Sequence, residues 1–476
     1  MSNGNTHFDF IVIGGGSGGY AAARTAHDHD KKVAIVDGAE QLGGLCILRG
    51  CMPSKTLIYS AEIAHLANHA EQFGLDIPSA KVNMAALQAR KQKIIGEFTD
   101  YRVNELESDR FTLFRHHAKF IDPKTIELTD GTKLTADKFI ISTGSKINTP
   151  PVPGLAEAPT LTSDDILSLD ALPESMIVLG GGVIACELAQ FLCRAGVKVT
   201  QIQRSPFILK EGSPKAAAAL QEALRANGIE LFTDTTLKSI DYQNGQITAS
   251  FEHEGKTVMR NAQVLFNAMG RKPATAELNL EAAGIDLLKS GHIKTNEYQQ
   301  STNKNVYAAG DCAGPHEIVH IAILQGECSA HHACGKPATP VSYRDLTKVI
   351  FTDPQVASAG LSEKDLKAQS IPYISAEYAF EDNGKSILMD ALEGYVQIFA
   401  HKETGQVLGA ECVGKDASEL IHSLAVAVTL KATVHGLLKV HWYHPTLAEI
   451  WTYPLEEIAE QLSSDKEHPA CIIEYH

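Results

Sequence analysis

Cys46 and Cys51 stand with four residues between them in the run Gly43-Gly44-Leu45-Cys46-Ile47-Leu48-Arg49-Gly50-Cys51-Met52-Pro53-Ser54-Lys55. A disulfide closing so small a loop removes little entropy from the unfolded chain, so stability is a poor reason to have one. A reversible store for an electron pair is a better reason. Pro53 suits the first turn of a helix, where its missing N–H costs nothing. A thiol at that helix start sits in positive potential and ionises more easily. Far along the chain lies His444-Pro445-Thr446-Leu447-Ala448-Glu449. Thiol–disulfide exchange needs a base that takes a proton from the incoming thiol and returns it to the leaving one. Histidine titrates in the right range, and a carboxylate can fix its tautomer.

The elements that must position these groups begin with residues 8–13, a short apolar run suited to a buried parallel strand. It leads into Gly14-Gly15-Gly16-Ser17-Gly18-Gly19, an alanine-rich helix, and a second strand (33–36) ending at Asp37. In this setting G-x-G-x-x-G brings backbone N–H groups and a helix N-terminus to a pyrophosphate, and the acid takes a ribose hydroxyl. The pattern recurs: a strand at 175–179, then Gly180-Gly181-Gly182-Val183-Ile184-Ala185, a helix, and a strand at 197–202. Gln203 falls at the offset that Asp37 occupies in the first copy. Two copies imply two dinucleotides. Ser142-Thr143-Gly144-Ser145 ends an apolar strand, 150–154 is a stiff proline connector, and Met269-Gly270-Arg271 ends a strand of the second unit. Residues 306–311 form another apolar strand closing on Gly310-Asp311. From 343 onward no dinucleotide motif recurs; strands at 394–401 and 407–413 and helices at 417–430 and 447–462 are expected.

The chain has 476 residues, a length for about three domains. With 44% hydrophobic and 21% charged residues it has an ordinary globular composition. A net charge of -15 argues against nucleic acid as a partner. The longest apolar stretch, 420–438, is broken by His422, Lys431 and His435, so no membrane span is expected. The N-terminus lacks a basic n-region, so no signal peptide is expected. Nine scattered cysteines fit a reduced cytoplasm, with Cys46/Cys51 a catalytic exception. His316 and His320 have ligand-like spacing without a visible third ligand, so no metal site is expected. His116-His117 and His331-His332 read as surface or helix residues.

Taken in order, these motifs resemble the FAD-dependent pyridine nucleotide-disulfide oxidoreductases, the family of dihydrolipoamide dehydrogenase, glutathione reductase and mercuric reductase. The resemblance covers 8–462. It implies an α/β fold with two Rossmann-like domains, for FAD and NAD(P), and a C-terminal α+β dimerisation domain. The expected division is an FAD domain (1–149), an NAD(P) domain (150–273), the second part of the FAD domain (274–343) and an interface domain (344–476). It implies that Gly14, Gly16, Gly19 and Asp37 hold the FAD pyrophosphate and ribose, with Gly44, Thr143, Gly144, Gly310 and Asp311 completing the site. Asp37 stands where the family usually has Glu, and Ala448 where it usually has Ser. Gly180, Gly182, Ala185 and Gly270 would belong to the NAD(P) site. By resemblance, Cys46 is the interchange thiol and Cys51 the flavin-side thiol, able to form a charge-transfer pair as thiolate. Lys55 and Glu187 match the family's ion pair near the flavin, though Lys55 alone would read equally as a solvated helix residue. His444 and Glu449 would reach the sulfur pair from the partner subunit of a homodimer.

Gln203 removes the acid that would hold the ribose of NAD, and Arg204 and Lys210 add cations that suit a 2′-phosphate. The set favours NADPH, with NADH as the alternative if both cations are merely exposed loop charges. Glu327, where glutathione reductases carry an arginine, would repel glutathione. Mercuric reductases end in adjacent cysteines and lack the His–Glu pair; here residues 463–476 hold only Cys471. A dihydrolipoamide dehydrogenase-like exchange with a small disulfide or dithiol is therefore expected. The rivals are a flavin reductase acting on quinone, metal ion or oxygen, and a redox sensor without rapid turnover.

Overall fold

The structure, a computed structural model, describes residues 6–462 and 469–472. The strand His7–Ile13 is apolar on both faces and lies between Val33–Val36 and Lys133–Ile141, parallel to each. Burial on both sides explains its continuous rather than alternating hydrophobic pattern. Phe111–Phe114 extends this sheet on one side and the hairpin Ala118–Asp122/Thr125–Leu128 on the other. Val306–Ala308, which follows the second dinucleotide unit in the chain, returns to pair with Lys133–Ile141. The first sheet is thus interrupted by the second.

Four helices of the first unit bear on the site: α1 (Ser17–His27), α2 (Gly44–Arg49), α3 (Cys51–Asn68) and α4 (Met84–Leu106). Gly18 and Gly326 let α1 pack closely along the helix Val319–Ala333: a Cβ at Gly326 would meet Gly18 O at 2.3 Å.

The second sheet is parallel and runs Glu230–Phe232, Lys198–Ile202, Ser175–Leu179, Val264–Asn267, Thr160–Leu161. An antiparallel three-stranded sheet spanning 236–262 sits on it. A two-stranded ribbon, Ser145–Ile147 against Arg271–Pro273, links the two units where the chain leaves and re-enters the first sheet. The third sheet is antiparallel throughout and covers 347–414. Ala417–Thr429 and Thr452–Gln461 bury Trp451, Leu424 and Ile458 against it. Three of its five strands (Thr347–Ile350, Gln355–Gly360, Tyr373–Ala379) go beyond the two expected from sequence. No described helix is long and apolar enough to cross a membrane.

One apolar core runs from Leu57 and Ala61 of α3 through Val178 and Leu188 of the second unit to Val356 and Val413 of the third sheet. Burying such side chains contributes about 1.5–3 kcal/mol each, so α3, which begins at Cys51, is anchored to both other units.

Candidate active site

Cys46 lies within α2 and Cys51 is the first residue of α3, with Pro53 buried in that helix's first turn. The two thiols are free and half-buried, and each perturbs the other's ionisation, in opposite directions. Donation from Cys46 favours the Cys51 thiolate and, with the Lys55 charge, brings the Cys51 pKa down to about 7 against the opposing effect of burial. The same bond, reinforced by burial, pushes the Cys46 thiol up. Lys55, one turn into α3, donates to Glu187 Oε2 at 2.7 Å. Glu187 is buried, and its Oε1 accepts the Phe351 N–H at 2.9 Å. A carboxylate so placed is held by two donors rather than one, and it fixes Lys55 beside the sulfur pair.

The redox loop rests directly on the first dinucleotide loop. Gly44 has φ +77°, and a Cβ there would come within 2.6 Å of Gly16 Cα. Only glycine meets both demands. Asp37 Oδ2 accepts the Gly15 N–H at 2.8 Å and Oδ1 the Ala39 N–H at 2.9 Å. Gln203 repeats this placement in the second unit: its side chain fills the space beside Gly181 as Asp37 does beside Gly15. Its amide, however, donates to Phe207 O at 3.3 Å, within its own loop.

A continuous cleft of about 3670 Å³ joins the two units. Gly14, Gly16, Asp37, Gly44, Cys46, Cys51, Lys55, Thr143, Gly144, Glu187, Gly310 and Asp311 line it, and so do Gly182, Lys210 and Gly270. Five expected cofactor residues do not line it. Gly19 packs against the strand, where a Cβ would meet Gly14 O at 1.9 Å, and Gly180 would meet Ala268 O at 2.4 Å. Ala185 is fully buried inside its helix, and Gln203 bonds within its loop. Arg204 is exposed outside the cleft. Lys210 lines the cleft and is paired with Glu211 at 3.5 Å. Gly19 and Ala185 therefore stand where helix and strand pack closely, and Gly180 where the loop crosses the end of the neighbouring strand at Ala268.

Asp311 accepts the Ser145 hydroxyl at 2.6 Å, and Ser145 is itself held by Arg271 Nε at 2.7 Å. Gln325 accepts the Gly310 N–H at 2.7 Å. Arg271 and Gln325 were not singled out from sequence, since neither carries a spacing signal. His117 is exposed and His116 partly so, as expected of surface residues, and both stand at the rim of the cleft. His316 precedes the helix Val319–Ala333 and His320 lies in its first turn; both line the cleft, and burial lowers both pKa values. No cluster of three or more metal-ligand side chains occurs among the described residues. Glu327 is paired with Arg24 at 2.7 Å, so its charge is largely answered and argues less against glutathione than the sequence suggests.

His444 Nδ1 lies 3.0 Å from Glu449 Oε2. The His444 side chain is 77% exposed and Glu449 only 11%, so the carboxylate is fixed and the ring is presented outward. Thr446 supports the turn, accepting the Glu449 N–H at 3.2 Å. Neither His444 nor Glu449 lines the cleft that holds the cysteines of the same chain.

The chain's own residues fit two dinucleotides. A Cβ at Gly144, Gly182 or Gly270 would meet no protein atom within 4 Å, so backbone is bared to the cleft at each strand end. Paired thiols beside two such folds define a nucleotide-dependent thiol oxidoreductase. The chain belongs to the pyridine nucleotide-disulphide oxidoreductases: residues 8–326 match that family, and 346–454 match its dimerisation domain. It is 33% identical over 448 residues to a mercuric reductase of Bacillus cereus, spanning 94% of this chain and 70% of that one. It is 32% identical over 445 residues to a dihydrolipoyl dehydrogenase of Bacillus subtilis, spanning 92% and 96%. The solved structure of LpdA from Mycobacterium tuberculosis superposes with a TM-score of 0.84 at 26% identity, covering 95% of this chain and 100% of that one. The HOCl-induced flavoprotein disulfide reductase RclA of Escherichia coli shares the fold at a TM-score of 0.83 and 22% identity, covering 94% and 99%. Family membership makes FAD the prosthetic group and NAD(P)H the electron donor, and the dimerisation domain supports a homodimer.

Proposed function

We propose that this protein exchanges electrons between NADPH and a small disulfide through the Cys46/Cys51 pair, as a cytoplasmic homodimer whose active sites are shared between subunits. The observation that supports it best is that both free thiols line one cleft with Lys55, Glu187 and the two glycine-rich loops, with Lys55 donating to Glu187 at 2.7 Å. FAD, when bound along Gly14, Gly16, Asp37 and Asp311, supplies the two-electron relay between nicotinamide and sulfur. The unit boundaries we adopt are 1–149, 150–273, 274–343 and 344–476.

In the reducing direction, Cys46 loses its proton to His444 of the partner subunit and attacks one sulfur of the substrate disulfide. The substrate S–S bond breaks, a mixed disulfide with Cys46 forms, and the departing thiolate takes the proton back. Cys51 then attacks Cys46 as thiolate. The Cys46–Cys51 bond forms, the mixed disulfide breaks, and the second substrate thiolate leaves and is protonated from solvent. One disulfide becomes two thiols, and the two protein thiols become one disulfide. The raised pKa of Cys46 explains the need for a base; the lowered pKa of Cys51 explains why the second step needs none.

Lys210 at the cleft and Gln203 in place of an acid support NADPH over NADH. A second reading, reduction of mercuric ion, draws on the identity to mercuric reductase, since paired thiolates bind soft cations. The His444–Glu449 pair favours disulfide exchange over it. Steady-state rates with NADH and NADPH against lipoamide, glutathione disulfide and mercuric ion test the reading. It requires a disulfide to be the best acceptor and NADPH the better donor; mercuric ion as best acceptor, or a clear NADH preference, overturns the corresponding part.

A further inference from the structure

Arg271 opens the strand Arg271–Pro273, where the chain leaves the second unit to re-enter the first. Its guanidinium reaches across the ribbon and grips one serine twice. Nε donates to Ser145 Oγ at 2.7 Å, and Nη2 donates to Ser145 O at 2.8 Å. The Ser145 hydroxyl in turn donates to Asp311 Oδ2 at 2.6 Å. All three residues are half-buried, and all three line the cleft. The exchange steps above make no use of Arg271 or Ser145.

The direction of this chain of hydrogen bonds is forced. A guanidinium only donates, so Nε takes a lone pair of Ser145 Oγ. The single hydroxyl hydrogen of Ser145 must then point elsewhere, and Asp311 Oδ2 is the acceptor it meets. A cation at one end and a carboxylate at the other make both bonds charge-assisted, and each polarises the next. Oδ2 is thereby engaged, the rotation of the carboxylate is set, and Oδ1 is left for a ligand hydroxyl in the cleft. The ribbon has its own fastenings beside this chain. The Asn148 N–H donates to Gly270 O at 3.0 Å, the Ala274 N–H to Gly144 O at 2.9 Å, and the Thr143 hydroxyl to Ala274 O at 2.8 Å. The bond from Arg271 to the Ser145 hydroxyl is surplus to them.

We propose that Arg271 is a positioning residue for FAD: acting through Ser145, it fixes the Asp311 carboxylate that takes a hydroxyl of the cofactor. A residue of the NAD(P) unit then helps to hold the cofactor of the neighbouring unit. The inference rests on FAD lying along Asp311, as in the reading above.

The dissociation constant of FAD, followed by the fluorescence of flavin released from diluted holoenzyme, tests this without turnover. Arg271→Met and Ser145→Ala are each expected to weaken FAD binding about tenfold, the size of one charge-assisted hydrogen bond. The double variant should bind no more weakly than the weaker single one, because both changes cut the same chain. Arg271→Lys keeps a donor and should recover part of the loss. Ser145→Thr keeps the hydroxyl and should bind FAD as the wild type does. A role confined to the ribbon would spare Ser145→Ala, since the bond from Nη2 to Ser145 O survives there. If Arg271→Met does not fold, the contrast between Ser145→Ala and Ser145→Thr decides alone. Wild-type affinity in Ser145→Ala, or losses that multiply in the double variant, overturns the inference and leaves the disulfide reductase reading standing. Wild-type affinity in Asp311→Ala overturns the placement of FAD along Asp311, and the inference with it.

Discussion

Replacing Lys55 by methionine should raise the Cys51 pKa and slow the reactions of its thiolate. Three influences on Cys51 can be separated: donation from Cys46 lowers its pKa, the Lys55 charge lowers it, and Glu187 raises it. Lys55 is 32% exposed and shares its charge with Glu187, so its effect belongs at the low end of the range for neighbouring charges. A rise from about 7 to about 8 is the expected size. At neutral pH the thiolate fraction then drops from about one half to about one tenth, and alkylation slows roughly fivefold. The comparison is best made in a Cys46→Ser background, where the hydroxyl keeps a donor at position 46 and only Cys51 reacts. Ultraviolet thiolate absorbance followed against pH gives the midpoint directly. Glu187→Gln supplies the opposite sign, since removing a carboxylate should lower the midpoint further. A midpoint that stays put in Lys55→Met, or moves the same way in both variants, would refute the electrostatic reasoning.

Cys46→Ser should abolish disulfide turnover while leaving any direct reduction of a quinone by the flavin intact; loss of both activities would point to a folding defect, and retention of both to a flavin reductase. His444→Gln and Cys46→Ser chains, each inactive as homodimers, should regain about a quarter of wild-type activity when refolded together, because half of the random dimers carry one complete site; no recovery would place the whole site within one chain. Gly44→Ala should weaken FAD retention, because its Cβ would press on the Gly16 backbone from a left-handed conformation; undiminished flavin content in the purified variant contradicts this. Gln203→Glu should shift coenzyme preference toward NADH, measured as the ratio of kcat/KM values.

Legibility differed sharply between the two kinds of element. The parallel strands His7–Ile13 and Ser175–Leu179 were plain because burial on both faces gives apolar runs, broken in the first only by His7 and Asp9, each ending at a glycine-rich turn. The offset from Gly15 to Asp37 carried over to Gly181 and Gln203 because both copies fold the same way around that residue. The strands Thr347–Ile350, Gln355–Gly360 and Tyr373–Ala379 were not legible. They are short and only partly buried, with alternation too weak to stand out from loop. Lys55 and Glu187 are far apart in sequence, and only the packing of α3 on the second unit brings them together.

NADPH must deliver its electrons to the sulfur atoms at 46 and 51 for the protein to work as a disulfide reductase. The direct measurement is anaerobic reduction of the oxidised holoenzyme by NADPH, followed by thiol labelling and peptide mass mapping. Cys46 and Cys51 should be protected before reduction and labelled together after it. Labelling of both residues to the same extent without NADPH, or persistent protection after the flavin has been reduced, would contradict it.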